Sequence, residues 1–217
     1  MKSVTFFSIS VFLLSFSINA QTIKRFDFGV AFSGNYQTLK VETSDWTAKG
    51  INKKLKSINV RNEQGFELAI LCQYNFNNEI SLRALPAFGF QNSWLQYFFT
   101  DNSQYLRAFE TVEANLPLHL TYTLTPEKRI APTIVVGGFV SQVIPSYGKS
   151  ADSFWKYDAG LEGGMSLKIK TKKFIIAPEL LYSIGLKNLN KHDNTIYSDA
   201  IQKLTRNRFI LRVVFYG

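Results

Sequence analysis

The chain has 217 residues, which suits one domain, and a formal net charge of +9 at pH 7. Aromatic residues make up 15% of it and charged residues only 19%, which excludes an intrinsically disordered chain. The single cysteine, Cys72, excludes an intrachain disulfide and a cysteine metal site, and no recognition motif accompanies the positive charge, so we expect no nucleic-acid partner.

The first twenty residues predict a signal peptide. Lys2 supplies a positive charge, residues 4–18 are apolar, and the small residue Ala20 precedes a cleavage point before Gln21. The alternative is an uncleaved anchor. After Ala20 no run of eighteen apolar residues occurs, so residues 21–217 contain no candidate transmembrane helix.

Residues 21–217 alternate between apolar and small or polar side chains with a period of two, which indicates β-strands. Eight such runs occur, most about ten residues long, which is the length of a tilted membrane strand. The runs cover 26–36, 66–76, 80–90, 112–124, 130–141, 157–169, 174–186 and 208–215. Four prolines inside them predict bulges or bends because proline donates no ladder hydrogen bond: Pro86, Pro117, Pro132 and Pro178.

The connections between the runs alternate in length. Three are short, at 75–79, 125–129 and 171–173, and four are long, at 38–65, 92–111, 145–156 and 187–205. Outer-membrane barrels have short periplasmic turns and long extracellular loops. The pattern therefore predicts an all-β fold, an eight-stranded antiparallel transmembrane β-barrel, with both termini in the periplasm.

The volume of the side chains predicts which face points outward. A soluble, lipocalin-like barrel alternates too, but with its apolar face inside. Here the apolar face carries about forty large side chains, more than the interior of an eight-stranded barrel can hold. We therefore expect these side chains to face lipid, because a soluble monomer does not expose such a belt.

The opposite face carries charges of both signs, which we expect to pair as a salt-bridge network that plugs the lumen. The alternative is a polar conduit for ions or small solutes. The residues of the predicted network are Asp27, Glu67, Arg83, Glu113, His119, Glu162, Lys168, Glu179, Arg208 and Arg212.

No motif for catalysis, cofactor binding or metal binding is present in the sequence. His119 falls on the inward face, where a hydrogen-bonded filler is the expected role, and His192 falls in a long connection. We predict a non-enzymatic protein without a cofactor. Some small barrels modify lipid A with a Ser-His-acid set, so a lipid A-modifying enzyme is the alternative.

The first long connection is basic. It contains Lys49, Lys53, Lys54, Lys56 and Arg61. Such a loop could contact anionic lipopolysaccharide or an acidic protein of the envelope. The alternative is a solvated loop without a partner.

Several segments resemble the PorT-like outer-membrane β-barrel family of Bacteroidota-type bacteria. They are VEANLPL at 112–118, APTIVVGG at 131–138, YDAGLEGG at 157–164, APELLYSIGLKNL at 177–189 and NRFILRVVFYG at 207–217. The signal peptide predicts export through the general secretory pathway, and the resemblance implies the outer membrane of a Gram-negative cell. One branch of this family is tied to the type IX secretion apparatus. Together these features predict a structural or interaction component of the outer membrane, linked to envelope secretion or assembly.

Overall fold

The computed structural model describes residues 24–43, 55–61, 64–144, 157–190 and 200–217, and the predicted signal peptide lies outside them. Within these ranges the chain forms antiparallel strands and no helix. The strands are β1 (Phe26–Thr43), β2 (Leu55–Arg61), β3 (Gln64–Asn75), β4 (Ile80–Ala84), β5 (Ala87–Phe99), β6 (Gln104–Thr123), β7 (Ile130–Ile144), β8 (Tyr157–Lys170), β9 (Ile175–Gly185) and β10 (Ile201–Tyr216). None of the described segments is a helix long and apolar enough to cross a membrane.

The strands close into a ring. Neighbours pair in the order β1, β10, β9, β8, β7, β6, β4, β3, and a pairing of β3 with β1 closes the circle. β2 and β3 both pair with β5 and run in one line, while β5 continues β4 beside β6. Because β2 continues into β3 and β4 into β5, the ten segments form eight continuous strands around the ring, which we call staves. The predicted eight-stranded antiparallel barrel is confirmed.

Pro86 marks one interruption of a stave. It lies between Ala84, where β4 ends, and Ala87, where β5 begins. The backbone N–H of Leu85 donates a hydrogen bond to the carbonyl oxygen of Pro117 on β6, at 3.0 Å. The residues between β4 and β5 therefore remain bonded to the neighbouring strand. The other three prolines lie within strands of the ring. At Pro178 the pairs between β8 and β9 are interrupted between Ser166–Glu179 and Ile169–Ile176, so the predicted irregularity occurs as a strand break at Pro86 and as a gap in one ladder at Pro178.

The outer surface of the ring is apolar and its inner surface is polar. On β10, for example, Leu211 is 62% exposed and the next residue, Arg212, is 2% exposed. The same alternation holds along the membrane part of every stave, with large apolar residues outside and mostly small, polar or charged residues inside. Two apolar clusters interrupt the polar inner wall, one around Leu71 and Leu85 and one around Leu181 and Ile210. The predicted outward orientation of the apolar face is therefore confirmed.

The two ends of the ring differ. At one end lie the three tight turns, with the described chain start and Gly217; at the other lie the long connections. The end with tight turns is the periplasmic end, because outer-membrane barrels keep their short turns and both termini there.

The predicted bounds of three of the four long loops, 38–65, 92–111 and 187–205, are wrong in part, because strands extend into these segments. β1 continues to Thr43, β10 begins at Ile201, and β5 and β6 form a hairpin whose turn lies at Thr100–Ser103. Asn102 adopts a left-handed conformation there, with φ of 62°, which an asparagine tolerates. We call the part of the barrel above the membrane the extracellular extension: the end of β1, β2, the β5–β6 hairpin and the start of β10.

Burial of an apolar cluster explains why the extracellular extension is strand. Its interior is apolar rather than polar: Leu95, Tyr97, Phe99, Leu189, Ile201 and Leu204. Side chains from β1 and β2 pack against them, among them Leu39 and Ile58. Alternation thus continues past the membrane, but water now faces the outer surface, so the apolar residues turn inward.

Candidate functional site

The inner wall holds all ten residues of the predicted network. Each of them is buried, and the alternation of each strand directs its side chain into the lumen. Two charged residues that were not in the predicted network, Asp158 and Arg206, are buried there as well. The described lumen therefore carries six acidic side chains, five Lys or Arg side chains and His119.

At the periplasmic end, Asp27 accepts hydrogen bonds from amide side chains. Asn75 Nδ2 lies 2.8 Å from Asp27 Oδ2, and Lys24 Nζ lies 3.4 Å from Asp27 Oδ1. Lys168 was predicted to pair with an acid, and this is wrong within the described residues. Its Nζ instead donates a hydrogen bond to Thr123 Oγ1 at 2.8 Å. Thr123 projects into the lumen from β6, two strands away from β8 in the ring.

The next level is built around Glu179, which two arginines share. Arg83 Nη1 and Nη2 lie 2.6 and 3.0 Å from the two carboxylate oxygens of Glu179. Arg212 Nη1 lies 3.7 Å from Glu179 Oε2. Arg83 projects from β4 and Glu179 from β9, so this pair crosses the whole lumen.

In the middle of the barrel, four side chains from four strands form a chain of contacts. Glu67 Oε1 lies 3.1 Å from Arg208 Nη1, and Arg208 Nη2 lies 3.5 Å from Glu162 Oε1. Glu162 Oε2 lies 2.8 Å from His119 Nε2. The inward Phe139 covers the guanidinium of Arg208, with 4.6 Å from Cζ to the ring centroid, and this cation–π contact accounts for an aromatic side chain on the polar face.

The level nearest the extracellular end is organised by Arg206. Its guanidinium contacts Glu113 on the opposite side of the ring, and its Nη2 lies 2.9 Å from Asp158 Oδ2 and 3.2 Å from Ser141 Oγ. Arg206 is absent from the predicted network because it lies between the predicted loop 187–205 and the predicted strand 208–215. Extending the alternation two residues back from Arg208 would have placed it on the inward face.

Ion-paired side chains cross the lumen at successive levels. Ion pairs cross between opposite staves at two levels, Arg83–Glu179 and Arg206–Glu113, and the chain of contacts through Arg208 lies between these levels. Removing such charges from water is costly unless each finds a partner. The paired charges meet that requirement, whereas Lys168 is held by Thr123 without an acidic partner among the described residues. Above the charges lies the apolar cluster of the extracellular extension.

The surroundings of His119 offer no serine nucleophile. Among the described residues its only hydrogen bond is to Glu162, and its Nδ1 is buried without a partner. A Ser-His-acid set needs a hydroxyl within hydrogen-bond reach of the imidazole. The described residues also contain no group of three or more His, Cys, Asp or Glu side chains placed to hold a metal ion.

The predicted basic loop is described only at one end. Lys49, Lys53 and Lys54 lie outside the described residues. Lys56 and Arg61 belong to strand β2 rather than to a loop, because β2 pairs with β5 from Leu55 to Arg61, and Lys56 is exposed.

A closed antiparallel ring with a lipid-facing belt and an ion-paired interior defines the class of transmembrane β-barrel proteins. A family model described as "Outer membrane protein beta-barrel domain" matches residues 19–191. The chain belongs to this family, and it is an outer-membrane protein. No curated protein matches the chain by sequence.

Solved structures with the same fold are distant in sequence. The chain is similar to the outer membrane protein OprG from Pseudomonas aeruginosa, with 10% identity, coverage of 88% of this chain and 93% of that chain, and a TM-score of 0.53. It is also similar to Neisserial surface protein A, with 13% identity, coverage of 86% and 95%, and a TM-score of 0.46. Ail of Yersinia pestis shows 12% identity, coverage of 89% and 99%, and a TM-score of 0.41. At such identities these likenesses concern the fold alone.

Proposed function

We propose that the protein is a non-enzymatic structural or interaction component of the outer membrane whose barrel does not conduct solutes. The observation that carries this proposal is the set of ion pairs across the lumen. Arg83 meets Glu179, and Arg206 meets Glu113, between opposite staves. If no solute passes through the lumen, contacts with other molecules are made at the extracellular and periplasmic ends of the barrel.

The extracellular extension is the surface that carries the proposed interaction. Tyr105 and Leu106, near the tip of the β5–β6 hairpin, are 41% and 52% exposed. Lys40, Lys56 and Lys203 are exposed on the surrounding strands. Apolar tips surrounded by cations are suited to lipopolysaccharide or to an acidic envelope protein.

A photo-crosslinking residue at position 106 tests the interaction in intact cells. We expect an adduct with lipopolysaccharide or with an envelope protein, identified by mass spectrometry. The same residue at Leu211, which faces the membrane, is the matched control and should give adducts with lipid acyl chains but with no envelope protein and no lipopolysaccharide headgroup. Absence of any adduct specific to position 106 in the native envelope would contradict the proposed interaction.

A small-solute channel is the second candidate, and one observation favours it. The side-chain amides of Asn35, Gln91 and Asn115 are buried and have no hydrogen-bond partner among the described residues, which marks room for water in the upper lumen. Planar-bilayer recording of the refolded protein separates the two candidates. We expect no conductance at any voltage, and stable open-channel currents would overturn the closed-lumen proposal.

The absence of enzymatic activity is tested on lipid A. Nothing at His119 resembles a nucleophile with its base, as described above. Mass spectra of lipid A from cells with and without the protein should be identical. A mass difference that depends on the protein would contradict the non-enzymatic assignment.

We further propose that residues 1–20 are a signal peptide cleaved after Ala20 during general secretion in a Gram-negative cell. We also propose that the chain is a PorT-like member of its family with a role in envelope secretion or assembly. The apolar stretch at 4–18 and the PorT-like segments from Val112 onward support these two steps. Mass spectrometry of the membrane-inserted protein should find Gln21 as the first residue. Deletion of the gene should impair secretion or envelope assembly, and unchanged secretion would remove the PorT-type role.

A further inference from the structure

The periplasmic end of the barrel carries an unbalanced set of cations. Exposed or half-buried positions on this end hold seven basic residues and two acidic ones, Glu79 and Glu127. The basic residues are Lys24, Arg25, Lys128, Arg129, Lys170, Lys172 and Lys173. We call this set the periplasmic basic rim.

Backbone hydrogen bonds hold the segments of the periplasmic basic rim in one plane. Asn75 N–H donates to the carbonyl oxygen of Arg25 at 2.8 Å, and Thr123 N–H donates to that of Glu79 at 2.8 Å. Lys170 N–H donates to Arg129 at 2.8 Å. The three turns and the start of β1 are therefore fixed parts of the barrel, and the cations stand at one level around it.

Most of these cations are not neutralised by the protein. Lys24 pairs with Asp27, and Lys170 Nζ donates to the carbonyl oxygen of Pro126. Within the described part of the chain, Lys128, Lys172 and Lys173 form no ion pair. Several uncompensated charges on a rigid ring create a positive potential that attracts an anionic partner.

The position of the rim relative to the lipid-facing belt indicates the partner. Arg25 directly precedes Phe26, Arg129 precedes Ile130, and Lys173 precedes Phe174. Each of these three apolar residues is exposed toward the membrane. A basic side chain one residue beyond the apolar belt lies at the depth of the lipid headgroups, where Lys and Arg extend toward phosphate.

Aromatic residues at the same end support this depth. Phe26, Tyr74 and Phe76 pack edge to face, with ring centroids 5.0 and 5.2 Å apart. Aromatic side chains collect at the membrane–water interface of barrels. The rim therefore stands just outside an aromatic girdle, as a headgroup-binding surface would.

We propose that the periplasmic basic rim binds anionic phospholipids of the inner leaflet of the outer membrane, with the Lys and Arg side chains contacting headgroup phosphates. The rim anchors the barrel at a fixed depth and collects anionic lipid around its periplasmic end. This role is independent of the extracellular interaction.

Native mass spectrometry of the full barrel in detergent, titrated with phosphatidylglycerol or with zwitterionic phosphatidylcholine, tests the proposal. Each Lys near an anionic surface contributes severalfold to binding, so the wild type should prefer phosphatidylglycerol by roughly tenfold or more. K128Q/K172Q/K173Q should lose most of this preference. E79Q/E127Q, which removes the two acids at the same end of the barrel, is the matched control and should retain or strengthen it.

Two further measurements are the salt dependence of the lipid preference and the folded state of each variant. The preference of the wild type should vanish near 0.5 M salt, where the Debye length is only about 4 Å. Heat-modifiable migration on a gel establishes that each variant is folded. Equal binding of the two lipids by the wild type, or an unchanged preference in K128Q/K172Q/K173Q, would overturn the proposal. Capture of an acidic periplasmic protein by the rim without a preference for phosphatidylglycerol would also overturn it.

Discussion

Arg83 and Glu179 are separated by 96 positions in sequence and project from opposite staves of the ring, yet their side chains form a bidentate ion pair with 2.6 and 3.0 Å contacts. Both side chains are almost fully buried. Neither charge could remain in the lumen without the other or an equivalent partner. The pair links β4 to β9 across the lumen.

Because two arginines share Glu179, we expect replacement of Glu179 to lower the free energy of unfolding more than replacement of Arg83. E179M leaves Arg83 and Arg212 without an acid, and we expect it to lower the free energy of unfolding by about 3–5 kcal/mol. R83M leaves Glu179 with Arg212 3.7 Å away, and we expect a smaller loss of about 1–3 kcal/mol. Urea unfolding in detergent micelles, followed by tryptophan fluorescence, measures both values.

The triple variant R83M/E179M/R212M is the control for this comparison. It removes every charge of the cluster, so it should recover most of the stability that E179M loses. K203M on the extracellular surface breaks an exposed pair with Glu42 at 3.9 Å and should change stability little. Equal losses in E179M and R83M would contradict the shared role of Glu179.

Arg208 should not tolerate replacement by lysine. Its planar guanidinium contacts Glu67 and Glu162 at once and stacks on Phe139. Lysine has a single point charge and cannot reproduce this geometry. We expect R208K to lower the free energy of unfolding by about 2 kcal/mol, the range for lost hydrogen bonds to charged groups. R212K, whose guanidinium makes one 3.7 Å contact, should lose clearly less, and the reverse order would refute this account.

Two adjacent glycines of β8 should respond differently to alanine. A methyl group on Gly164 would lie 2.8 Å from Leu181 Cα and overlap the carbonyl oxygen of Leu180, while one on Gly163 would find its nearest neighbour 3.8 Å away. The neighbours of Gly164 are backbone atoms and cannot rotate aside. We expect G164A to cost about 1–3 kcal/mol and G163A to be close to neutral, both measured by urea unfolding. Equal stability of the two variants would contradict the close approach of β8 and β9.

The alternation of the sequence was enough to predict the barrel and the orientation of its faces, because one period-two pattern assigns every side chain to one wall. It placed Glu67, Glu162 and Arg208 on the inner wall correctly. It did not predict which acid meets which base. That depends on the register of all eight staves, since partners such as Arg208 and Glu67 are 141 positions apart.

The extracellular end shows where sequence reasoning failed. A strand length set by the thickness of the membrane ends the predicted strands too early, so it omits Arg206 from the inner wall and assigns β2 to a loop. In the structure the pairing continues above the membrane, and the inward positions change from polar to apolar, as at Leu39 and Leu204. Where water replaces lipid around the outer wall, the apolar residues therefore move from the outer wall to the inner wall, while the period of the alternation stays at two.

Because the outer wall of β10 faces lipid at one end and water at the other, we expect a charge to destabilise the barrel only at the lipid-facing positions. L211R places a charge in the middle of the apolar belt on β10, where Leu211 is 62% exposed, and should cost about 2–4 kcal/mol of folding free energy in lipid vesicles. Q202R, nine residues earlier on the outer wall of the extracellular extension, is the matched control and should cost little because Gln202 already faces water. Urea-induced unfolding in vesicles, followed by tryptophan fluorescence, measures both values. If L211R were as stable as Q202R, the side chain of Leu211 would not face lipid, and the depth assigned to β10 would be wrong.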